Sequence, residues 1–352
     1  MDKMNQHKGS KIAGRMYGNK IAKYSIRPPF PREVNIELSN VCNHSCSFCA
    51  YRDMEREKGS INVQKLEIWL KQAYKLGSRE LGLHSGEEPF ASQYLEHFIA
   101  YSKQLGYEYV YISTNGSLAT HKRMKDVIDN GIDSIKFSIN AGDKETYKKV
   151  HGKDHFERVL DNLRYAKEYR GEKDKPYLAI SFVITNDNKH SVNTLKTITN
   201  NLVDEFLAFP ASNQNGQMTN IYDNADKKSS KPQQNKICPF PFNKLHISRE
   251  GFIRACCNDY ENLLALENIN DSSLEEAFYG KIAQEFRQRH LDDNLEGTLC
   301  FNCIHNQVTP VQPINPSLYF TTHNTDIGPK ISNAKRILGI SSIREMNKKN
   351  KI

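Results

Sequence analysis

Cys42, Cys46 and Cys49 stand in a C-x3-C-x2-C spacing directly behind the apolar run Val34 to Leu38. Three thiolates hold three irons of a four-iron cubane and leave the fourth iron with an open position, so such a cluster can bind a small molecule as well as carry an electron. A structural zinc site wants a fourth ligand of its own, usually in a second Cys or His pair at fixed spacing, and His44 inside the triplet is poorly placed for that. Asn43, His44, Ser45 and Ser47 separate the cysteines, which argues against three small buried hydrophobes. A second set lies far downstream, with Cys238, then Cys256 and Cys257 side by side, then Cys300 and Cys303 in a C-x2-C pair. Four thiolates there suit a second iron-sulfur cluster or a tetrahedral zinc.

The triplet, with the aromatic Phe48 just before its last cysteine, resembles the signature of the radical S-adenosylmethionine (SAM) superfamily. The resemblance implies that Cys42, Cys46 and Cys49 ligate a 4Fe-4S cluster whose open iron is chelated by the amino and carboxylate groups of SAM. One electron then cleaves SAM to methionine and a 5′-deoxyadenosyl radical, which abstracts hydrogen from an unactivated carbon; the cofactor supplies the hard chemistry and the protein its position. Three later segments resemble the family's SAM-contacting strand ends. His84 to Phe90 is similar to the Gly-Gly-Glu-Pro segment and implies SAM contacts from Ser85, Gly86 and Glu88, although Glu87 stands where the second Gly usually is. Ile112 to Gly116 implies contacts from Ser113 and Asn115, and Phe137 to Asn140 implies them from Ser138 and Asn140, with Asn140 in place of the usual Asp.

The spacing Cys238, Gly251, Cys256 followed by Cys300-Phe301-Asn302-Cys303 resembles the first part of the SPASM and twitch extensions of the same enzymes. It implies an auxiliary 4Fe-4S cluster on Cys238, Cys256, Cys300 and Cys303. No cysteine follows Cys303, so one auxiliary cluster of the twitch type is expected. Of eight cysteines Cys257 is left over, as a small buried residue, a substitute cluster ligand or a hydrogen-atom donor.

These residues need a scaffold, and the chain alternates strand and helix patterns to supply one. Apolar or β-branched runs at Val34 to Leu38, Leu81 to His84, Tyr109 to Thr114, Ser134 to Asn140, Tyr177 to Thr185 and Glu205 to Phe209 predict six strands. Leu66, Trp69, Leu70, Ala73 and Leu76, then Phe156, Val159, Leu160, Leu163 and Ala166, recur at helical steps. Gly77 and Gly131 fall where helices should stop. The expected fold is α/β: a partial (β/α)6 TIM-like barrel, with every SAM-type segment at a strand's C-terminal end, and a small C-terminal β-hairpin/helix iron-sulfur domain whose turn lies near Gly251. The expected units are a basic N-terminal arm (1–30), a radical SAM core (31–211), a linker (212–236) poor in large apolar residues, the auxiliary-cluster domain (237–310) and a C-terminal tail (311–352).

No run of 18 apolar residues exists and the N-terminus does not read as a signal peptide, so a cytoplasmic protein without membrane attachment is expected, which also suits reduced thiols. The net charge of +8 sits at the ends. Residues 1–30 and 330–352 hold a net +6 each, which leaves −4 for residues 31–329. Nucleic acid is therefore not an expected partner; a small polar substrate (sugar, cyclitol or peptide) and a flavodoxin- or ferredoxin-type reductant are. The single auxiliary cluster is most similar to 2-deoxy-scyllo-inosamine dehydrogenase-like enzymes, which implies oxidation of an alcohol with that cluster accepting an electron. The alternatives are a peptide maturase or epimerase, and a non-catalytic metal-binding or electron-carrier protein. The SAM-type strand ends argue against the last, since a carrier has no use for an open iron.

Overall fold

The computed structural model describes residues 24–218 and 237–323. Six strands form where alternation predicts them: β1 (Glu33–Ile36), β2 (Glu80–Gly82), β3 (Tyr109–Thr114), β4 (Ser134–Ser138), β5 (Tyr177–Ile184) and β6 (Glu205–Pro210). They pair in parallel in chain order, with α1 (Val63–Lys75), α2 (Leu95–Leu105), α3 (His121–Asp129), α4 (Lys144–His151), α5 (Phe156–Arg170) and α6 (Val192–Thr199) in the connections. The Asn62 side chain caps α1 by accepting from the Lys65 N–H, and its stripe of Leu66, Trp69, Leu70 and Ala73 is buried. This is the partial barrel the sequence predicts.

The C-terminal hairpin continues the barrel sheet. β7 (Lys244–Ile247) pairs in parallel with β1, and β8 (Phe252–Arg254) and β9 (Ala265–Asn268) follow antiparallel. The result is one nine-stranded sheet in the order β6-β5-β4-β3-β2-β1-β7-β8-β9. Gly251 turns the hairpin at φ +87. β9 was not foreseen.

Strand alternation sorts this sheet into two faces. Val34, Ile36, Leu81, Val110, Ile112, Ile135, Phe137, Leu245 and Ile247 are at most 1% exposed and belong to the core cluster. The register puts Glu33, Asn35, Tyr111, Lys136, Lys244 and His246 on the opposite face. There Lys244 Nζ donates to both oxygens of Glu33 (2.5 and 2.6 Å), and the Tyr111 hydroxyl donates to Glu33 at 2.6 Å. The concave side of the sheet is thus polar and hydrogen-bonded, where a closed eight-strand barrel would fill itself with branched apolar side chains.

Segments expected to be arm, linker and tail are partly built into the fold. The Tyr24 ring packs on Phe242 and Phe30 on Phe278, at 4.9 and 5.1 Å. Asn213, Asn215, Gln217 and Met218 are buried. Residues 311–323 also pack: Val311 is buried, a helix α7 spans Pro316–Thr322, and His323 Nε2 lies 2.9 Å from Glu261. Residues 1–23, 219–236 and 324–352, on which the rest of those expectations fall, lie outside the described residues. No helix of the described residues is long and apolar enough to cross a membrane.

Candidate functional site

The first cysteine loop leaves the C-terminal end of β1 and is gripped from two sides. The Ser45 and Ser47 N–H groups donate to the His151 and Val150 carbonyls at the end of α4 (3.3 and 2.9 Å). From the other side the Gln214 side chain accepts from the Ala50 N–H (2.8 Å) and donates to the Phe48 carbonyl (3.0 Å). Cys42, Cys46 and Cys49 are partly buried and free of disulfides. Burial, and then the Glu88 carboxylate, push the Cys42 thiol up to about 12. Burial followed by Cys49 and Cys42 raise the Cys46 thiol. Thiols that suppress one another's ionisation in this way fit a site completed by cations, because a bound metal deprotonates its thiols outright.

The SAM-type strand ends converge above this loop with roles that differ from the motif. Glu88 is buried and fully engaged: it accepts from the Thr114 hydroxyl (2.5 Å), the Asn115 N–H (2.6 Å) and the Phe90 N–H (3.1 Å). Burial raises its carboxyl to about 7. Glu87 accepts from the Ser85 N–H at 3.0 Å through one oxygen, while its other oxygen is buried with no protein partner. Burial and the nearby Glu37 raise this carboxyl well above the usual range. Glu87, read from the sequence as a misfit, thus holds the unpartnered acceptor of the segment. Gly86 lies against Tyr260, whose ring carbon is 2.6 Å from where a Cβ would stand.

Asn115 ties its strand end to the cysteine loop, donating to Asn43 Oδ1 at 2.9 Å. The Ser113, Ser138 and Ser181 hydroxyls form a ladder across β3, β4 and β5 (3.4 and 3.2 Å). Ser181 was not singled out from the sequence: it lies within β5, paired with Ser138 at the end of β4, and no local signal marks it. The Asn140 side chain accepts from the Val183 N–H (2.6 Å) and lies 3.3 Å from His151 Nε2.

The thiols of the second set raise one another in the same way. Burial and then Cys303 push Cys238 up to about 12, and burial, Cys238 and Cys303 raise Cys300. Cys256 rises through its contact with Cys257, through burial, and through Cys238 and Cys300. The four predicted ligands are therefore electrostatically one group. Asn215 Nδ2 donates to Cys256 Sγ at 3.7 Å, so one buried turn after β6 touches both cysteine sets, a link its polar composition concealed. Cys257 faces the concave side: its carbonyl accepts from Ser85 Oγ at 3.4 Å. Contact with Cys256, and then Lys244 and Arg254, hold its thiol down to about 7. The hairpin itself is fastened by Arg56, which pairs with Glu37 (2.7 Å) and Glu250 (2.9 Å) with no side-chain exposure.

Against known families, residues 36–198 match the radical SAM superfamily and residues 238–304 match the iron-sulfur cluster-binding SPASM domain. The chain thus carries a radical SAM domain followed by a SPASM domain. A probable GTP 3′,8-cyclase of Saccharolobus solfataricus is 32% identical over 138 residues, which cover 38% of this chain and 43% of that relative. The chain thus spans less than half the length of that relative. Among solved structures, BtrN in complex with AdoMet and 2-DOIA superposes with a TM-score of 0.57 at 18% identity, covering 82% of this chain and 99% of BtrN. SuiB of Streptococcus suis bound to the precursor peptide SuiA gives 0.60 at 16%, covering 73% and 66%. These likenesses are of fold. The cofactors of the radical SAM and SPASM domains are a 4Fe-4S cluster with SAM and an auxiliary iron-sulfur cluster, which removes zinc from the second set.

Proposed function

We propose that this protein is a radical SAM oxidoreductase that oxidises an alcohol carbon of a small polar substrate, of the sugar or cyclitol kind. A 4Fe-4S cluster with SAM bound there would supply the one-electron cleavage of SAM to methionine and a hydrogen-abstracting 5′-deoxyadenosyl radical. Cys42, Cys46 and Cys49 hold that cluster, with Phe48 closing the loop. Glu87, Ser85 and Gly86 meet the amino end of SAM, while Glu88 and Asn115 brace the strand end beside it. The serine ladder of Ser113 and Ser138 offers hydroxyls to SAM or substrate. Cys238, Cys256, Cys300 and Cys303 hold the auxiliary cluster.

The observation that supports oxidation is the place of this last group. Cys256 is one residue from Cys257, whose carbonyl bonds Ser85 of the SAM segment, so an electron acceptor would stand beside the substrate. Lys136 on the concave face, lowered to about 8 by burial, can take the alcohol proton near neutral pH.

The test is turnover of a panel of polyols, aminocyclitols and peptides by the reduced enzyme. Oxidation predicts a product lighter by two hydrogens with roughly one SAM consumed per product. Cys257→Ala should retain that product, and Cys238→Ala or Cys303→Ala should stall after radical formation. A redox-neutral product carrying solvent hydrogen, lost in Cys257→Ala, would replace oxidation by epimerisation.

A further inference from the structure

His151 sits at the end of α4, almost fully buried, with its two ring nitrogens facing different partners. Nδ1 lies 3.2 Å from Cys46 Sγ. Nε2 lies 3.3 Å from the backbone nitrogen of Asn140 and 3.3 Å from its side-chain Nδ2. A backbone N–H can only donate, so Nε2 must present its lone pair and the ring proton must sit on Nδ1. The Asn140 amide agrees: its Oδ1 accepts from the Val183 N–H at 2.6 Å, which turns the NH2 end toward the imidazole. Val183, Asn140, His151 and Cys46 therefore form a directed relay that ends in an N–H aimed at sulfur.

We propose that His151 donates a hydrogen bond to the Cys46 sulfur and thereby raises the reduction potential of the cluster this cysteine helps to hold. The inference rests on the reading that the triplet ligates that cluster. An added electron increases the negative charge on the cluster sulfurs, so a fixed N–H stabilises the reduced form more than the oxidised one. Fixity is what the structure provides. The end of α4 that carries His151 also accepts the Ser45 and Ser47 N–H groups of the cysteine loop, so sulfur and imidazole ride on one scaffold. Gly152 follows at φ +71, and a Cβ there would fall 2.4 Å from Ser45 Oγ; only glycine lets the helix end approach so closely. Tyr147 stacks on the imidazole at 4.1 Å.

Among the described residues, His44, Cys46 and His151 are also the one group of three ligating atoms within 4.8 Å of one another. They do not make an ion site of their own, because the lone pair of His151 faces Asn140 and its proton faces the sulfur. His151 acts through Cys46 and is a positioning residue. Neither the cysteine spacing nor the SAM-type segments assign it a role.

The experiment is an anaerobic redox titration of the reconstituted protein without SAM, following the reduced-cluster EPR signal that SAM perturbs when added afterwards. His151→Phe keeps an aromatic ring and removes the donor, and His151→Asn restores an N–H close to the Nδ1 position. At equal iron content, the midpoint should fall in His151→Phe by about 59 mV, a tenfold change in a one-electron equilibrium, and recover in His151→Asn. Equal midpoints in wild type and His151→Phe would overturn the role, as would equal falls in both variants. Should His151→Phe hold less iron, unmodified protein decides. With 15N-histidine, pulsed EPR of the SAM-free reduced cluster should show one weakly coupled histidine nitrogen, and its absence overturns the proposal. A SAM-responsive signal that survives Cys42, Cys46 and Cys49 all changed to Ala would instead remove the ligand assignment beneath it.

Discussion

Replacing Glu37 by Gln should cost roughly 3 kcal/mol of folding stability and loosen the C-terminal hairpin from the barrel. Glu37 is 1% exposed. Its carboxylate accepts from Arg56 at 2.7 and 3.1 Å and from the Arg249 N–H at 3.0 Å, and Arg254 lies 3.6 Å away. Burial alone would push this carboxyl up, but Arg254 and Arg56 outweigh it and hold it down to about 2 against an ordinary 4.5. That difference corresponds to roughly 3 kcal/mol favouring the ionised folded state, which agrees with the cost of breaking a buried pair and leaving charge behind. In the variant Arg56 keeps Glu250, but Arg254 loses its only carboxylate within 4 Å among the described residues.

For a fold of this size the loss lowers the melting temperature by roughly 5 °C. Scanning calorimetry of the reconstituted protein under argon reads it, at one scan rate, because iron-sulfur proteins unfold irreversibly. Asp126→Asn, which breaks the exposed pair with Lys122, is the control and should move the midpoint by about 1 °C or less. The sign of the pH dependence follows from a depressed folded pKa. Stability from Glu37 is fully present above about 4.5 and is lost as pH falls toward about 2, so the gap between wild type and variant should shrink as pH falls below about 4.5. A variant melting with wild type, or a gap that widens as pH falls below about 4.5, would refute the reasoning.

Three further outcomes are expected. Glu87→Gln should raise the dissociation constant of SAM on the order of tenfold, the loss of a charge-assisted hydrogen bond; calorimetric titration giving wild-type affinity would return the amino-group role to Glu88. Gln214→Ala removes both side-chain bonds to the first cysteine loop. It should speed iron loss from the SAM-responsive cluster by about tenfold while the auxiliary cluster is retained, and equal loss from both would show a global effect instead. With Lys136 lowered to about 8 by burial and acting as base, turnover should climb as pH passes that value and Lys136→Met should flatten the climb; an unchanged profile would remove Lys136 from the proton path.

The strands and the radical SAM motif were legible because their signals are local. A C-x3-C-x2-C spacing lies within eight residues, and two-residue alternation lies within each strand. What escaped depends on contacts between distant positions. His151 reaches Cys46 across 105 residues and Gln214 reaches Phe48 across 166, and no periodicity reports such a pairing. The turn at residues 213–218 is buried yet polar, so composition alone read it as linker; its amides are satisfied by the loops they clamp. Glu87 shows the same limit at short range. It stands where the motif usually has a Gly, and only geometry reveals that Glu88 is already spent on Thr114 and Asn115.

The pairing of β7 with β1 carries the largest consequence of this kind. β1 leads into the first cysteine loop at its C-terminal end, and β7 leads through the hairpin to Cys256 and Cys257. A slip of one residue between them would turn Lys244 and His246 outward and Leu245 and Ile247 into the polar concave face. Two ion pairs oppose that slip, Glu33 with Lys244 at 2.5 Å and Glu37 with Arg56, which also holds Glu250 in the hairpin turn. The spacing between the two cysteine sets is therefore set by strand register and buried charge. If the second set takes up an electron as proposed, a cluster held this way would keep its distance to the SAM segment whatever the connecting residues do, which is the condition that transfer requires.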